Sequence, residues 1–214
     1  MIRCLLVDDH PVVRTGYGRL LEMSGMKVVG EAVSVDQGYA LYRTCYPDVT
    51  VTDLSLPGAS GIELIRRIVA CDGGAVLAFS MLDPHVAVPR VIEAGGRGFI
   101  GKDSPPEMLV DAVRAIHQRG RWFPPALDEA DRAWQEGVLR DLSIREVEVL
   151  RLLAQGCSTS DCASVLHISP KTVANYQSRL REKLGVDNAA AMVHVALRHG
   201  VLGVASGVAD LAVL

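Results

Sequence analysis

Residues 51–65 read VTDLSLPGASGIELI and decide the fold, because they hold the end of a strand, a turn and the start of a helix. From Asp48 to Asp53, valine and threonine alternate, which is the pattern of a β-strand. Leu56-Pro57-Gly58 favours a turn, and Ser60 followed by Glu63 is the signature of a helix cap. The stretch therefore predicts a strand–turn–helix unit with Asp53 at the carboxyl end of its strand.

The same alternation of strand and helix extends to both sides of this unit. We expect four further strands, at residues 2–7, 27–33, 75–80 and 97–101. Pro11 suits the first turn of one helix. Two more helices are expected to start at capping boxes, Ser34 with Gln37 and Ser104 with Glu107. This order predicts an α/β domain with a doubly wound, five-stranded parallel sheet of flavodoxin-like type.

The pattern changes near residue 120. A weaker helix before that point, from about Pro84 to Ala94, is expected to be interrupted by Pro89. Beyond Asp141 the apolar spacing is helical and no strand pattern occurs. We therefore expect an α/β domain over residues 1–119, a linker over 120–141, an all-α four-helix domain over 142–202 and a tail over 203–214.

The all-α domain carries its own helix starts. Ser143 with Glu146 forms a capping box, and a short second helix is expected from Ser158 to Leu166. The last two helices are expected over residues 169–184 and from Asp187 to about residue 198. The close spacing of the second and third helices suits a helix-turn-helix.

The composition is that of a globular protein. No apolar run reaches the roughly 20 residues that a membrane span needs, and the start of the chain lacks the pattern of a signal peptide. We therefore expect a cytoplasmic protein without membrane contact. The five scattered cysteines argue against a disulfide framework. Cys157, Cys162 and His167 lie close in sequence but lack a fourth ligand, so we favour buried thiols over a metal site.

Polar side chains follow the predicted strands at one edge of the sheet. Asp8 and Asp9 end the first strand, Asp53 the third and Ser80 the fourth, and the fifth leads to Lys102. Ligands of a doubly wound sheet bind at this carboxyl edge. Three clustered carboxylates repel one another unless a cation sits among them, and hard oxygen ligands of this kind suit Mg²⁺.

These residues lie in segments that resemble the receiver domain of response regulators over about residues 1–120. The matching segments are LLVDDHPVVR (5–14), VTDLSLPGASGIELI (51–65), AFSMLDPH (78–85) and GFIGKDS (98–104). The resemblance implies that Asp53 accepts a phosphoryl group from a partner histidine kinase. It also implies that Asp9 binds Mg²⁺ directly, that Asp8 binds it largely through water, and that the backbone carbonyl of Ser55 adds a ligand.

The resemblance also implies a switch. The hydroxyl of Ser80 would bond the phosphoryl oxygens, and the ammonium of Lys102 would pair with them. Phe99 occupies the position of the aromatic residue that turns inward on activation. Because Phe99 lacks a hydroxyl, we expect it to act by packing alone.

An enzyme of the aspartyl-phosphatase type is the alternative for this edge of the sheet. Such enzymes carry a DxDx[TV] pattern at the first strand. Here that strand ends in Asp8-Asp9-His10, and Asp53 is followed by Leu54-Ser55 with no second aspartate two residues on. We therefore expect a protein that is not an enzyme.

The second domain resembles the LuxR-type helix-turn-helix of NarL/FixJ-type regulators. The resemblance rests on LSIREVEVLRLLAQG (142–156) and LHISPKTVANYQSRLREKLGV (166–186). It implies that the third helix of the domain enters the major groove of double-stranded DNA. The candidate DNA contacts on that helix are Lys171, Thr172, Ala174, Asn175, Ser178 and Arg179. Arg145, Arg181 and Lys183 are expected to add positive charge.

The cations of this domain are few. Ala174 stands where the family often has lysine, and residues 158–162 read STSDC where it often has Asn-Lys-Glu-Ile. Formal net charge is −3, so any basic patch is local. One copy should therefore bind DNA weakly and act as a homodimer on phosphorylation or DNA binding. The leading hypothesis is a transcription regulator; a second is a receiver whose effector domain works through a protein partner.

Overall fold

The structure is a computed structural model that describes residues 1–118, 120–124, 141–198 and 201. The chain divides into two compact units, Met1–Arg132 and Ala133–Leu214. Residues 125–140 of the expected linker and the whole expected tail, 203–214, lie outside the described residues. None of the described helices combines the length and the apolar character that crossing a bilayer requires.

The described part of the first unit is built on a five-stranded parallel sheet in the order β2-β1-β3-β4-β5. The strands are β1 (Arg3–Val7), β2 (Lys27–Ala32), β3 (Val49–Thr52), β4 (Val76–Ser80) and β5 (Gly98–Gly101). The helices are α1 (Pro11–Met23), α2 (Val35–Cys45), α3 (Gly61–Asp72), α4 (Pro84–Glu93) and α5 (Pro106–His117). The predicted doubly wound α/β fold is confirmed.

The core contains the central strands of the sheet. Every residue of β3 and β4 is buried, because helices cover both faces of the sheet. On one face, residues of α1 and α5 such as Leu21, Leu109 and Ile116 pack against Val51 and Leu77. The strand ends are thereby held in a fixed register, which positions the residues that follow them.

Two predictions that involve proline in the first unit differ from the structure. The helix α4 runs through Pro89 without interruption. Its apolar side, including Val88 and Val91, is buried, and burial of such side chains contributes about 1.5–3 kcal/mol each, which offsets a proline penalty of about 3 kcal/mol. The predicted capping box of Ser104 is wrong. The residue before a proline disfavours helical geometry, so Pro105 stays extended and α5 starts at Pro106.

Two other predicted caps form with different partners. The hydroxyl of Ser60 accepts from the backbone N–H of Ile62 at 3.3 Å, and not from Glu63. Ser34 accepts from the N–H of Gln37 at 3.3 Å, but the Gln37 side chain bonds the N–H of Val33. Each serine still satisfies a free donor of the first helical turn, which is the physical purpose of the cap.

The described part of the second unit contains four helices. They are α6 (Ile144–Ala154), α7 (Thr159–Val165), α8 (Pro170–Leu184) and α9 (Ala189–Arg198). The capping box of Ser143 and Glu146 is confirmed, and α8 ends at Gly185 with φ 64°. The helix α9 begins two residues later than predicted. There the Asn188 side chain accepts from the N–H of Ala191 at 2.9 Å.

A candidate phosphoryl-transfer site and a candidate DNA-binding helix

Three backbone hydrogen bonds extend the sheet by one residue beyond its strand ends. The N–H of Asp53 donates to the carbonyl of Val7 at 2.8 Å. The N–H of Asp8 donates to Ala32 at 3.0 Å, and that of Lys102 donates to Ser80 at 2.9 Å. The backbones of Asp8, Asp53 and Lys102 are therefore held by the sheet, and their side chains reach into the site.

Lys102 brings two of the carboxylates together. Its Nζ lies 2.6 Å from Oδ2 of Asp53 and 2.6 Å from Oδ2 of Asp8. All three side chains are less than a tenth exposed. Burial lowers the pKa of Lys102, but the charges of Asp53 and Asp8 raise it by more, so the pKa lies above its usual value. Lys102 therefore remains an ammonium at any physiological pH.

Asp9 and His10 complete an acidic cluster around this pair. Ligand atoms of Asp8, Asp9, His10 and Asp53 all lie within 4.8 Å of one another. Nδ1 of His10 is 2.9 Å from Oδ1 of Asp9, a contact that the sequence did not indicate. The cluster contains three carboxylates, of which Lys102 contacts two, and carboxylate oxygens are the hard ligands that Mg²⁺ prefers. The donor set therefore fits a divalent cation.

The remaining predicted residues are Ser55, Ser80 and Phe99, and Ser55 contacts Asp53 directly. The N–H of Ser55 donates to Oδ1 of Asp53 at 3.1 Å, whereas Lys102 contacts Oδ2 of the same carboxylate. The hydroxyl of Ser80 is fully buried and accepts from the N–H of Leu82 at 3.4 Å. Phe99 lies on β5 with 1% of its surface exposed. In this conformation the aromatic ring of Phe99 is inside the domain.

Arg14 contacts the site, and sequence reasoning had missed it. Its Nη1 donates to the backbone carbonyl of Asp8 at 2.6 Å, and its Nε donates to Glu31 at 3.2 Å. The available signal was its place in the first turn after Asp8-Asp9-His10-Pro11. From that turn, a long arginine side chain can reach back to the end of the strand that precedes the helix.

In the second unit, α8 exposes most of the predicted DNA contacts. Lys171, Ala174, Asn175, Ser178 and Arg179 are exposed, and Thr172 is half-buried. The opposite side of the helix is apolar and anchors it: Val173, Leu180 and Leu184 are buried.

Three hydroxyls on or next to α8 are already hydrogen-bonded. Those of Ser169 and Thr172 lie 2.8 Å apart and close the helix start. The hydroxyl of Ser178 donates to the carbonyl of Ala174 at 3.1 Å. For polar recognition, the exposed face of α8 therefore offers chiefly the amide of Asn175 and the cationic side chains of Lys171 and Arg179.

Two cations that the sequence suggested for DNA pair with buried carboxylates of their own domain. Nζ of Lys183 lies 2.7 Å from Oε2 of Glu146, whose side chain is 3% exposed. Arg145 contacts Oε2 of Glu148 at 2.9 Å. Burial raises the pKa of Glu146, but hydrogen bonds from Lys183 and Ser143 lower it by more, so the net pKa is below its usual value. Both carboxylates thus neutralise charge that was expected to face DNA.

A parallel-sheet domain with this carboxylate–lysine edge, followed by a helix-turn-helix domain, defines the class of two-domain response regulators. Two family models agree with this. The response regulator receiver domain matches residues 4–114, and the bacterial regulatory proteins of the luxR family match residues 140–196. The chain belongs to the response regulators that carry a receiver domain and a LuxR-type DNA-binding domain.

Relatives and solved structures agree over nearly the whole chain. The response regulator UvrY of Escherichia coli (strain K12) is 34% identical over 211 residues, covering 94% of this chain and 96% of the relative. RcsB from Salmonella enterica serovar Typhimurium, bound to promoter P1flhDC in the presence of phosphomimetic BeF3-, is 28% identical with a TM-score of 0.54. That match covers 90% of this chain and 96% of the other. A structure of two RcsB dimers bound to two parallel DNAs has a TM-score of 0.55 and 28% identity, covering 90% of this chain and 96% of that one.

Proposed function

We propose that a partner histidine kinase phosphorylates this response regulator on Asp53 and that the phosphorylated form binds promoter DNA as a homodimer. The observation that carries the proposal is the placement of Asp53. Its carboxylate is 2% exposed, lies among Asp8 and Asp9, and contacts Lys102 at 2.6 Å. A buried carboxylate in such a setting is poised to accept a charged group and not to form a surface salt bridge.

The chemistry needs a nucleophile and compensation of charge. An oxygen of Asp53 attacks the phosphorus of the donor, the new P–O bond forms, and the bond to the donor's leaving atom breaks. Lys102 then pairs with the phosphoryl oxygens, exchanging its contact with the carboxylate for one with the new dianion. Ser80 donates its hydroxyl to a phosphoryl oxygen. In these steps the phosphoryl group stays on Asp53 and the protein is not regenerated. The proposed role is therefore that of a phosphoryl acceptor and not of an enzyme.

A divalent cation belongs to the same proposal. Asp9 and Asp53 would bind Mg²⁺ directly, Asp8 largely through water, and the backbone carbonyl of Ser55 would add a ligand. When bound, Mg²⁺ offsets negative charge on the transferring group. The support for this assignment is the excess of three carboxylates over one lysine, which leaves the cluster short of positive charge.

The switch and the effector complete the mechanism. Movement of Ser80 toward the phosphoryl group would open space near β5 that Phe99 adjusts to by packing. In the second unit, α8 would enter the major groove, where the amide of Asn175 can bond both edge atoms of adenine and Lys171 can reach phosphate. Thr172, Ala174, Ser178 and Arg179 lie on or next to the same face. We assign residues 1–119 to the receiver and 142–202 to the DNA-binding domain.

Phosphorylation of full-length protein tests the site. With Mg²⁺ and acetyl phosphate, wild-type protein should gain one phosphoryl group, measured by intact mass, and Asp53→Asn should gain none. Asp111→Asn is the matched control, because Asp111 is an exposed carboxylate on α5. Equal labelling of wild type and Asp53→Asn would refute the assignment of the acceptor.

A second candidate function is an interaction protein whose effector domain no longer holds DNA. The observation that favours it is the internal pairing of Lys183 and Arg145 with buried carboxylates. A gel-shift assay of phosphorylated protein against its own promoter region separates the two functions. A retarded complex at physiological salt supports the transcription regulator, and its absence supports the interaction protein.

A further inference from the structure

We infer that Arg14 is a positioning residue for the metal-binding loop: it holds the peptide between Asp8 and Asp9 in the orientation that Mg²⁺ binding requires. The inference rests on the proposed function, in which Asp9 is a direct metal ligand. The guanidinium of Arg14 contacts the backbone carbonyl of Asp8 and the carboxylate of Glu31, so its effect on the metal-binding loop is exerted through the backbone.

Arg14 joins three elements of the fold. It lies on α1, its side chain is 15% exposed, and its guanidinium reaches both the carbonyl of Asp8 at the end of β1 and the carboxylate of Glu31 on β2. The bond to Asp8 is short, at 2.6 Å, as charge-assisted hydrogen bonds are. The planar guanidinium makes both bonds at once, which a lysine ammonium cannot reproduce with the same geometry.

The carbonyl of Asp8 matters because the peptide bond is planar. Fixing that oxygen fixes the plane that contains the N–H of Asp9 and sets the direction of the Asp9 Cα. On its other side, Asp8 is already held by the bond from its N–H to Ala32. The two bonds together leave the backbone of Asp8 little rotational freedom, and the Asp9 side chain starts from a defined point.

Several other restraints on this loop run through carboxylates of the metal site. His10 is the N-cap of α1 but its side chain makes no cap hydrogen bond, and Pro11 has no N–H to donate. The N–H of His10 bonds Oδ1 of Asp8, an oxygen of the cluster that surrounds the metal. The side chain of Arg14 thus restrains the carbonyl of Asp8 without using a carboxylate of the metal site.

The charge of Arg14 is compensated by Glu31, so its contribution to the site is mainly geometric. Loss of the guanidinium should therefore weaken Mg²⁺ binding without removing the phosphoacceptor. Partners that orient ligands from outside the coordination sphere typically change metal affinity by 10–100-fold. Because Arg14 orients one ligand, we expect a change of about tenfold, at the lower end of that range.

Titration calorimetry with MgCl₂ on full-length protein tests this, using Arg14→Met, Arg14→Lys and the control Arg19→Met. Arg19 lies on the same helix and is exposed. We expect Arg14→Met to raise the Mg²⁺ dissociation constant about tenfold, Arg14→Lys to recover part of it, and Arg19→Met to match wild type. Labelling of Arg14→Met by acetyl phosphate should return to the wild-type extent at saturating Mg²⁺.

A Mg²⁺ affinity of Arg14→Met equal to that of wild type would overturn the positioning role. So would a loss that Arg14→Lys does not relieve at all, or labelling that stays low at saturating Mg²⁺. If Arg14→Met does not fold, Arg14→Lys and Glu31→Gln carry the same test, and unchanged affinity in both overturns the role. Failure of wild type itself to bind Mg²⁺ is a different result, because it refutes the metal site of the proposed function.

Discussion

Replacing Asp9 by asparagine should make the metal-free protein more stable while abolishing its response to Mg²⁺. The physical reason is the charge balance of the cluster. Asp8, Asp9 and Asp53 carry three negative charges, and Lys102 supplies the positive charge that contacts Asp8 and Asp53. Asp9 is thus the carboxylate of the cluster that gains least from Lys102.

The structure gives the size of the effect. Ligand oxygens of the cluster lie within 4.8 Å of one another, and two like charges at that distance repel by about 3 kcal/mol at an effective dielectric constant near 20. The Asp9 side chain is 13% exposed and contacts His10 at 2.9 Å, and solvent and this contact offset part of the repulsion. We therefore expect Asp9→Asn to stabilise the receiver by about 1–2 kcal/mol, raising its thermal midpoint by about 5 °C or more.

Thermal unfolding in EDTA and in Mg²⁺ measures both halves of the prediction. Mg²⁺ at about 100 times its dissociation constant should stabilise wild type by about 2.7 kcal/mol and leave Asp9→Asn almost unchanged. The order of stability then reverses between the two conditions. The control Asp111→Asn removes an exposed charge and should shift stability by less than about 0.5 kcal/mol in both. An Asp9→Asn protein that is less stable than wild type in EDTA would refute the reasoning.

Three other outcomes are expected. The pKa of Glu146 is lowered in the folded state, so its contribution to stability is present above the ordinary glutamate pKa and is lost as the pH falls through the folded value. Urea unfolding between pH 7 and pH 3 should show this loss in wild type and a flatter profile in Glu146→Gln; parallel profiles would contradict it. Asn175→Ala should relax base preference at one position per half-site at a cost of about 1–3 kcal/mol, and a loss spread evenly over all sequences would count against base reading. Lys171→Ala should weaken all sequences alike and flatten the salt dependence, measured by fluorescence anisotropy.

Much of the receiver site follows from sequence because parallel strands end at one edge. Once a strand is recognised before Asp53, the topology brings that residue beside Asp8 and Lys102, whatever the details of the helices. The prediction needs only the ends of strands, and those are marked by a change from apolar to polar residues. The contact of Arg14 with Asp8 is different, because it depends on the rotation of α1 against the sheet.

Helix starts show where local rules meet tertiary structure. A capping box at Ser143 forms as predicted, since both partners lie within one turn. At Ser104 the two prolines that follow override the same signature. At Pro89 the reverse holds, because burial of the helix outweighs the local penalty. Local sequence thus predicts a cap where no stronger constraint acts on the same residues.

The charges of the DNA-binding domain could not be assigned from sequence, because pairing joins residues far apart in the chain. Lys183 and Glu146 are 37 positions apart and bond at 2.7 Å. Because Lys183 is paired with Glu146, the other exposed cations among the described residues of α8 are Lys171, Arg179 and Arg181.

Three cations on one helix bear directly on how DNA is bound. If each neutralises one phosphate, the logarithm of affinity for a single half-site should fall with the logarithm of salt concentration with a slope of about −3. Two copies on adjacent half-sites should double that slope, and the second copy binds at the high effective concentration that pairing creates. Occupancy at physiological salt would then depend on the fraction of protein that is paired. Phosphorylation could therefore control DNA binding by changing pairing alone, without altering any contact that α8 makes with DNA. A half-site slope near −6 would show that cations outside α8 carry the affinity and would remove the need for pairing.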